Sequence, residues 1–488
     1  MIWSSNPNPR GFGSSTSQAI LNTKVQSGDF FRGWQLVNIA GRQIGFRDPN
    51  GAITGLQVGL PGRPDLYREA IIDGGAMAIV GPGVVNAVDL FKVRANMPID
   101  SNLWTRSFNA DGGNRARRKS RTSKFGDSIF RYAVDSSRVG ELTEFRAGPI
   151  IGDRLMVLHA GDLMAVSLKT SEDIWRNSAA PSNGYILTDG DRVAVVSASL
   201  ERTAFFGLHD GEKLNEKPWE HGTIWAATRR YILCYTPTDD PMVYDVKVVD
   251  PFNDKVLLEL TTTTANALAS EQGQTFGSIV NGRYMTLLNT EGKLTVWDIE
   301  LAKEVSSLDI DPIPELKKIK VMELDGQLIV TSWLGRDQPD GTTRSGGSHY
   351  SADLVHSISL ADGSLNWHKD LGSTWGCTIA QPANSPVVVF SRFRAIHNST
   401  GASQKEVDVM ALDVRDGKRL HQRLKTEVPS THNQVETRIL LQPVQERVYV
   451  QIGNETLIYH FGKTDEEVEN EQAEREKEQA KRFNPFQQ

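Results

Sequence analysis

The histidines, cysteines and paired carboxylates are the residues of this 488-residue chain with chemistry to offer, and their spacing organises little of it. The ten histidines form no His-x-x-x-His pair and no Cys/His cluster of zinc spacing. His349 and His356 flank one loop-to-strand boundary and read as surface or satisfied core side chains rather than metal ligands. Cys234 and Cys377 allow one disulfide in principle, but two cysteines in so long a chain define no framework, and both read as small buried apolar residues. The acidic pairs at Asp189-Gly190-Asp191, Asp210-Gly211 and Asp416-Gly417 suit hairpin turns, where Asp and Gly accept positive φ. Gly81-Pro82-Gly83 and Gly346-Gly347 have no following helix to hold a phosphate. No Gly-x-Ser-x-Gly elbow, P-loop or dinucleotide fingerprint occurs. Catalytic, cofactor-binding and metal-ligating residues are therefore nominated nowhere.

The elements that would position any site are short strands in a repeat. Residues 152–175 read GDRLMVLHAGDLMAVSLKTSEDIW: Leu155 and Val157 alternate before a turn, Met164, Val166 and Leu168 alternate after it, and a second turn leads to a Trp. The pattern returns at 189–211, 230–252, 282–305, 325–367, 386–420 and 447–461, and an earlier copy runs from 76 to 104. Eight units at a spacing of roughly 48 residues fall in the range of four-stranded propeller blades. One unit cannot bury both faces of its sheet, whereas radial stacking buries them and leaves short edges. The expectation is an all-β protein: a single β-propeller of four-stranded antiparallel blades, eight by this count, with seven as the alternative. A ninth candidate, GRQIGFRDPNGAITGL at 41–56, either completes the blade begun by the C-terminal strand pair or packs outside the ring.

The segments MAVSLKTSEDIW, VHSISLADGSLNW and VMALDVRDGKRL resemble the PQQ-like (pyrroloquinoline quinone-type) repeat family, whose propellers resemble quinoprotein alcohol dehydrogenases in fold. The likeness covers about four-fifths of the chain. It implies a Trp packed between neighbouring blades, for which Trp104, Trp175 and Trp367 are placed, with Leu257, Val305 and Leu420 at that position in other units. The dipeptide Trp297-Asp298 invites a WD-repeat reading, but its Gly-His partner is missing. Quinone chemistry in that family resemblance implies an Asp base, Ca²⁺ and a vicinal Cys-Cys ring. Here the cysteines are not adjacent, and no dense Asp-x-Asp-x-Asp run supplies the six to eight oxygens calcium takes. Fold does not imply function. The reading is a noncatalytic propeller with no cofactor, acting as a protein-interaction or ligand-binding platform. A quinoprotein-like oxidoreductase with a degenerate PQQ/calcium site is the alternative.

The domain expectation is an irregular segment at 1–33, a propeller over 34–462, and a charged helical or disordered tail at 463–488. In the tail, Thr464 and Glu467 have capping-box spacing, and Glu471–Arg475 and Glu478–Arg482 are i,i+4 pairs. Two insertions interrupt the propeller. Residues 108–145 carry the basic run RARRKSRTSK, and 335–350 is rich in Gly, Ser and Asp, reading as a mobile loop. Lys plus Arg number 54 against 60 Asp plus Glu, a net charge of −6, so a general attraction to nucleic acid is not expected. No run approaches the roughly 18 apolar residues of a membrane span. The N-terminal MIWSSNPNPRGFGSS lacks the basic and apolar regions of a secretory signal. It reads as cytoplasmic or as a piece of a longer precursor, and the family resemblance implies the cell envelope or periplasm. The partner is expected to be an unidentified protein or further domains of a larger polypeptide.

Overall fold

The computed structural model describes residues 18–460 apart from 21, 28–30, 32, 40–42, 57–68, 82, 95–100, 109–144, 241–242, 263–276, 337–341, 344–348, 379–380, 398–402, 429–436 and 453–454. The basic run 115–124 and the tail 463–488 lie outside the described residues. The architecture is all-β. Eight antiparallel sheets, most of four strands, follow one another along the chain in a propeller-like arrangement. Short helical turns accompany them, Leu90–Arg94 and Pro443–Gln445 among them.

Sheet 1 joins Gln18–Ile20, Gln35–Ile39, Gln43–Arg47 and Ile53–Leu56. Sheet 2 spans Glu69–Asp73 to Asn102–Ser107 and gains a parallel strand, Asn22–Ser27, beside Glu69–Asp73. Two strands thus lie in a segment expected to be irregular. Sheets 3, 4, 5 and 6 cover 145–177, 185–218, 223–262 and 277–309, with four strands each. Sheet 7 has eight strands and holds two repeat units, fused where Gly376 and Cys377 pair with Ser391 and Phe390. Sheet 8 has three strands, Thr437–Gln442, Arg447–Ile452 and Glu455–His460. The ninth candidate at 41–56 does not complete sheet 8; it forms a sheet of its own with the N-terminal strands.

Alternation along the strands turns one face of each sheet to each neighbour, and a buried apolar cluster fills every gap from sheet 1 to sheet 8. Leu36 and Phe46 of sheet 1 pack with Ile72, Met77 and Ile79 of sheet 2. At the far end Val387, Val389 and Val409 of sheet 7 pack with Ile439, Leu441, Val448 and Val450 of sheet 8. Sheets 1 and 8 also touch. The N–H of Leu441 in sheet 8 donates to the carbonyl of Asn50 at 2.7 Å, and the N–H of Asn384, in a link between two strands of sheet 7, donates to that of Pro49 at 3.1 Å. Asp73 of sheet 2 meets Arg229 of the non-consecutive sheet 5 at 3.8 Å.

The repeat has a sharper definition in space than in sequence. In seven units the last strand carries one extra residue, a β-bulge, immediately before the residue that faces the next unit. The extra residues are Leu103, Ile174, Leu214, Leu257, Val305, Asn366 and Leu420. The residues that follow the bulge, in matching register, are Trp104, Trp175, Asn215, Leu258, Ser306, Trp367 and His421. The positions Leu257, Val305 and Leu420 expected to replace the Trp are bulge residues that still pack against the inter-unit clusters, while the register counterparts of the Trp stand one residue later. Each Trp indole N–H donates to a main-chain carbonyl of the next unit: Trp104 to Leu168 at 2.8 Å, Trp175 to Leu208 at 2.9 Å, Trp367 to Val414 at 2.8 Å. The Ser306 hydroxyl reaches the Gly363 carbonyl in the same way. A glycine of the Asp-Gly turns completes the contact, since a Cβ on Gly211 or Gly417 would lie 2.3 or 2.6 Å from the Trp175 or Trp367 ring.

Candidate functional site

Strand alternation puts the second-to-third turn of each unit and the link to the next unit at one end, and the remaining turns at the other. The long intervals at 57–68, 108–144, 263–276, 334–348 and 429–436 all open at the first end. One long connection, Leu90–Ser101, lies at the opposite end. Elsewhere that opposite end has compact turns. Asp189, for example, accepts the N–H groups of Asp191 and Arg192 and pairs with the Arg192 guanidinium at 2.7 Å. The Asp-Gly sequences are turns, as their composition implies.

At the end with the long intervals, sheet 7 outgrows the others. Its strands reach 10 to 14 residues in His349–Ser359, Leu365–Thr378, Val387–His397, Ser403–Asp413 and Arg419–Val428. The insertion expected as a mobile loop at 335–350 enters this sheet. Thr342–Thr343 pairs with Phe393 and Arg394, and His349–Ala352 pairs with Trp375–Thr378, an added strand on the first strand of the second unit. The chain bends at Asp353, which is fully buried. Its carboxylate accepts the Leu334 N–H at 2.6 Å and the Thr374 hydroxyl at 2.6 Å, so one side chain ties both roots of the insertion. Arg336 forms a bidentate pair with Asp370, and its hydrogen bond holds the Asp370 carboxyl below the usual range. Arg392 donates to the buried Asp408 at 2.6 Å and to Ser373 at 2.8 Å, its guanidinium 4.3 Å over the Trp375 ring. Asp353, Asp370 and Asp408 are each engaged in holding the sheet.

The sequence singled out no residue of this network, because Asp353, Thr374 and Arg392 are single polar residues inside apolar runs. The usable signal was length: HYSADLVHSIS and LNWHKDLGSTWGCT are too long for one blade strand. His349 and His356 are not brought together. They lie on either side of the Asp353 bend, His349 opposite Thr378 and His356 opposite His368. The His356 and His368 rings stack at 6.1 Å, and burial lowers His356 to about 4, with the His368 charge adding to the effect. Among the described residues no three His, Cys, Asp or Glu side chains gather as a metal site. Cys234 and Cys377 are buried free thiols in sheets 5 and 7, each pushed up to about 12 by burial, so neither is a nucleophile near neutral pH.

No family model and no curated protein matches this chain. Solved structures similar to it include BamB from Moraxella catarrhalis, at 11% identity and a TM-score of 0.32, covering 81% of this chain and 94% of that one. Apo AztD from Citrobacter koseri shares 10% identity at a TM-score of 0.39, covering 71% and 86%. A europium-containing methanol dehydrogenase shares 11% at 0.32, covering 78% and 81%. No helix among the described residues is long and apolar enough to cross a membrane.

Proposed function

We propose that this chain is a noncatalytic PQQ-like repeat propeller whose units close into a ring and whose long-loop end is a platform for a protein partner or ligand in the bacterial cell envelope. Closure is supported by the main-chain hydrogen bonds that sheet 1 receives from Leu441 of sheet 8 and Asn384 of sheet 7, and by the Asp73–Arg229 pair between sheets 2 and 5. The observation that carries the platform reading is that the strand ends bounding the long intervals lie at one end of the units, the end toward which the long strands of sheet 7 extend. Loops on a rigid scaffold are where proteins place recognition. A partner would be held by those loops or by addition of a strand to an exposed edge.

The test uses the full chain in two forms, wild type and one with 337–348 replaced by a Gly/Ser segment of equal length. Affinity capture from an envelope extract is expected to retain a defined partner on the wild type and to lose it on the variant. Equal retention by both would remove the loops of sheet 7 from the platform. Titration with pyrroloquinoline quinone and Ca²⁺, read by tryptophan quenching, separates the oxidoreductase alternative. Saturable calcium-dependent quenching at micromolar quinone would overturn the noncatalytic reading.

A further inference from the structure

Sheet 8 is the one sheet among the described residues with three strands. Thr437–Gln442, Arg447–Ile452 and Glu455–His460 pair in that order and correspond to the first three strands of a unit. The place of the fourth, beside Glu455–His460, holds no strand among the described residues. The preceding unit supports this correspondence. His421, in its bulged last strand, meets the Tyr459 ring at 5.8 Å, much as Trp175 and Trp367 meet the next unit just past the end of its third strand.

An edge strand presents main-chain N–H and C=O groups that a further strand can pair with, and proteins blunt such edges with bulges, lysines, prolines or short length. The other last strands are blunted. Seven carry a bulge, and Lys213–Pro218 adds two lysines and a proline. Ile53–Leu56 in sheet 1 has only four residues. Glu455–His460 has none of these features: its six residues keep an unbroken register with Arg447–Ile452, and ETLIYH contains neither Lys nor Pro. On this strand the Tyr459 hydroxyl is buried without a hydrogen-bond partner, a polar group that an added strand would satisfy.

The repeat defines the chemistry of that added strand. In the last strands Asn102–Ser107 and Asp173–Asn177 an aliphatic bulge residue precedes Trp, and each indole N–H donates to the next unit. No Trp follows Trp375 in the sequence, and the strands Gln18–Ile20 and Asn22–Ser27 are committed to the first-strand edges of sheets 1 and 2, the edge opposite to the one left open in sheet 8. We propose that the outer edge of Glu455–His460 is a strand-acceptor site for an extended segment of a partner polypeptide in which an aliphatic residue precedes Trp. The segment pairs antiparallel, as every last strand does in the described units. This rests on the strand-addition form of the platform reading and names its edge.

The probe is a labelled peptide with this chain's own last-strand sequence, SNLWTRSF from 101–108, and its control carries Leu103→Ser and Trp104→Ser. Fluorescence anisotropy with the full chain is expected to show saturable binding, weakened about tenfold or more in the control. Bound peptide is expected to slow hydrogen exchange in 455–460 and leave 213–218 unchanged, a readout that needs no variant. Leu457→Pro and Ile458→Pro add a second one: alternate residues direct their N–H outward, so one of the two should lose binding. The chain with 337–348 replaced should bind the peptide as wild type does, which separates failure of this edge from failure of the loop platform. Ile2-Trp3 of this chain is the same residue pair. Binding that appears only with Trp3→Ala would assign the edge to the chain itself and overturn the partner site. So would the absence of saturable binding, or protection that falls outside 455–460.

Discussion

His356 shows how one imidazole, placed by the fold, becomes a measurable property of the whole chain. It is buried against His368, its Nδ1 has no hydrogen-bond partner, and its pKa falls from 6.5 to about 4. The unfolded chain therefore binds a proton at this side chain that the folded chain refuses. Between those two values stability is expected to fall as pH falls, while above pH 6.5 the contribution is fully present. The effect is on the order of 3 kcal/mol across the window. Urea unfolding at pH 7.5 and pH 4.5 checks it: His356→Leu should flatten the difference between the two conditions relative to wild type. A variant that keeps the wild-type slope would show that other groups govern acid sensitivity.

At the scale of the element, the bulged outer strand is the working part of the repeat. In the units of Trp104 and Trp175 the bulge leaves Leu103 and Ile174 exposed while the following Trp reaches the neighbouring unit, and the positive φ of Gly211 and Gly417 brings main chain onto the indole. Trp175→Phe keeps the ring contact and loses one N–H donor to the Leu208 carbonyl, which Arg154 still serves at 3.0 Å. A cost of about 1 kcal/mol is expected. Trp175→Ala removes the ring and should cost roughly 3–5 kcal/mol. Denaturant midpoints of the two variants measure the gap, and equal losses would mean that the hydrogen bond, not the packing, joins the units. The Trp itself was legible in the sequence at 104, 175 and 367. The counterparts Leu258, Ser306 and His421 were not, since a bulge leaves no mark in hydrophobic alternation beyond one residue out of step.

For the molecule as a whole, the contact between the first and last of the described sheets joins the two ends of the row. Gly51 is central to it: φ is +91°, and a Cβ there would stand 2.5 Å from the Ile439 carbonyl. Gly190 supplies the control, with φ +106° and open space around it. Gly190→Ala should cost about 1–2 kcal/mol from left-handed strain alone. Gly51→Ala should cost more than that, with added hydrogen exchange in peptides from 35–56 and 437–460. Equal losses at the two glycines would show that the junction contributes nothing to stability.

The sequence by itself determined the strand content, the repeat and its turns, because period-two alternation and Asp-Gly punctuation act within a dozen residues and need no distant partner. All eight units between 76 and 461 were legible this way, as was the separate candidate at 41–56. Tertiary structure decided what those units become together. Residues 41–56 build their own sheet rather than finishing sheet 8, because strands at 18–20 and 35–39 compete for them. The Gly- and Ser-rich insertion joins sheet 7, because a single buried carboxylate, Asp353, meets donors some twenty residues away on either side. Arg47 looked like one charged residue before a turn. It is 3% exposed in the folded chain, and burial of that kind is set by packing across sheets, which no local pattern announces.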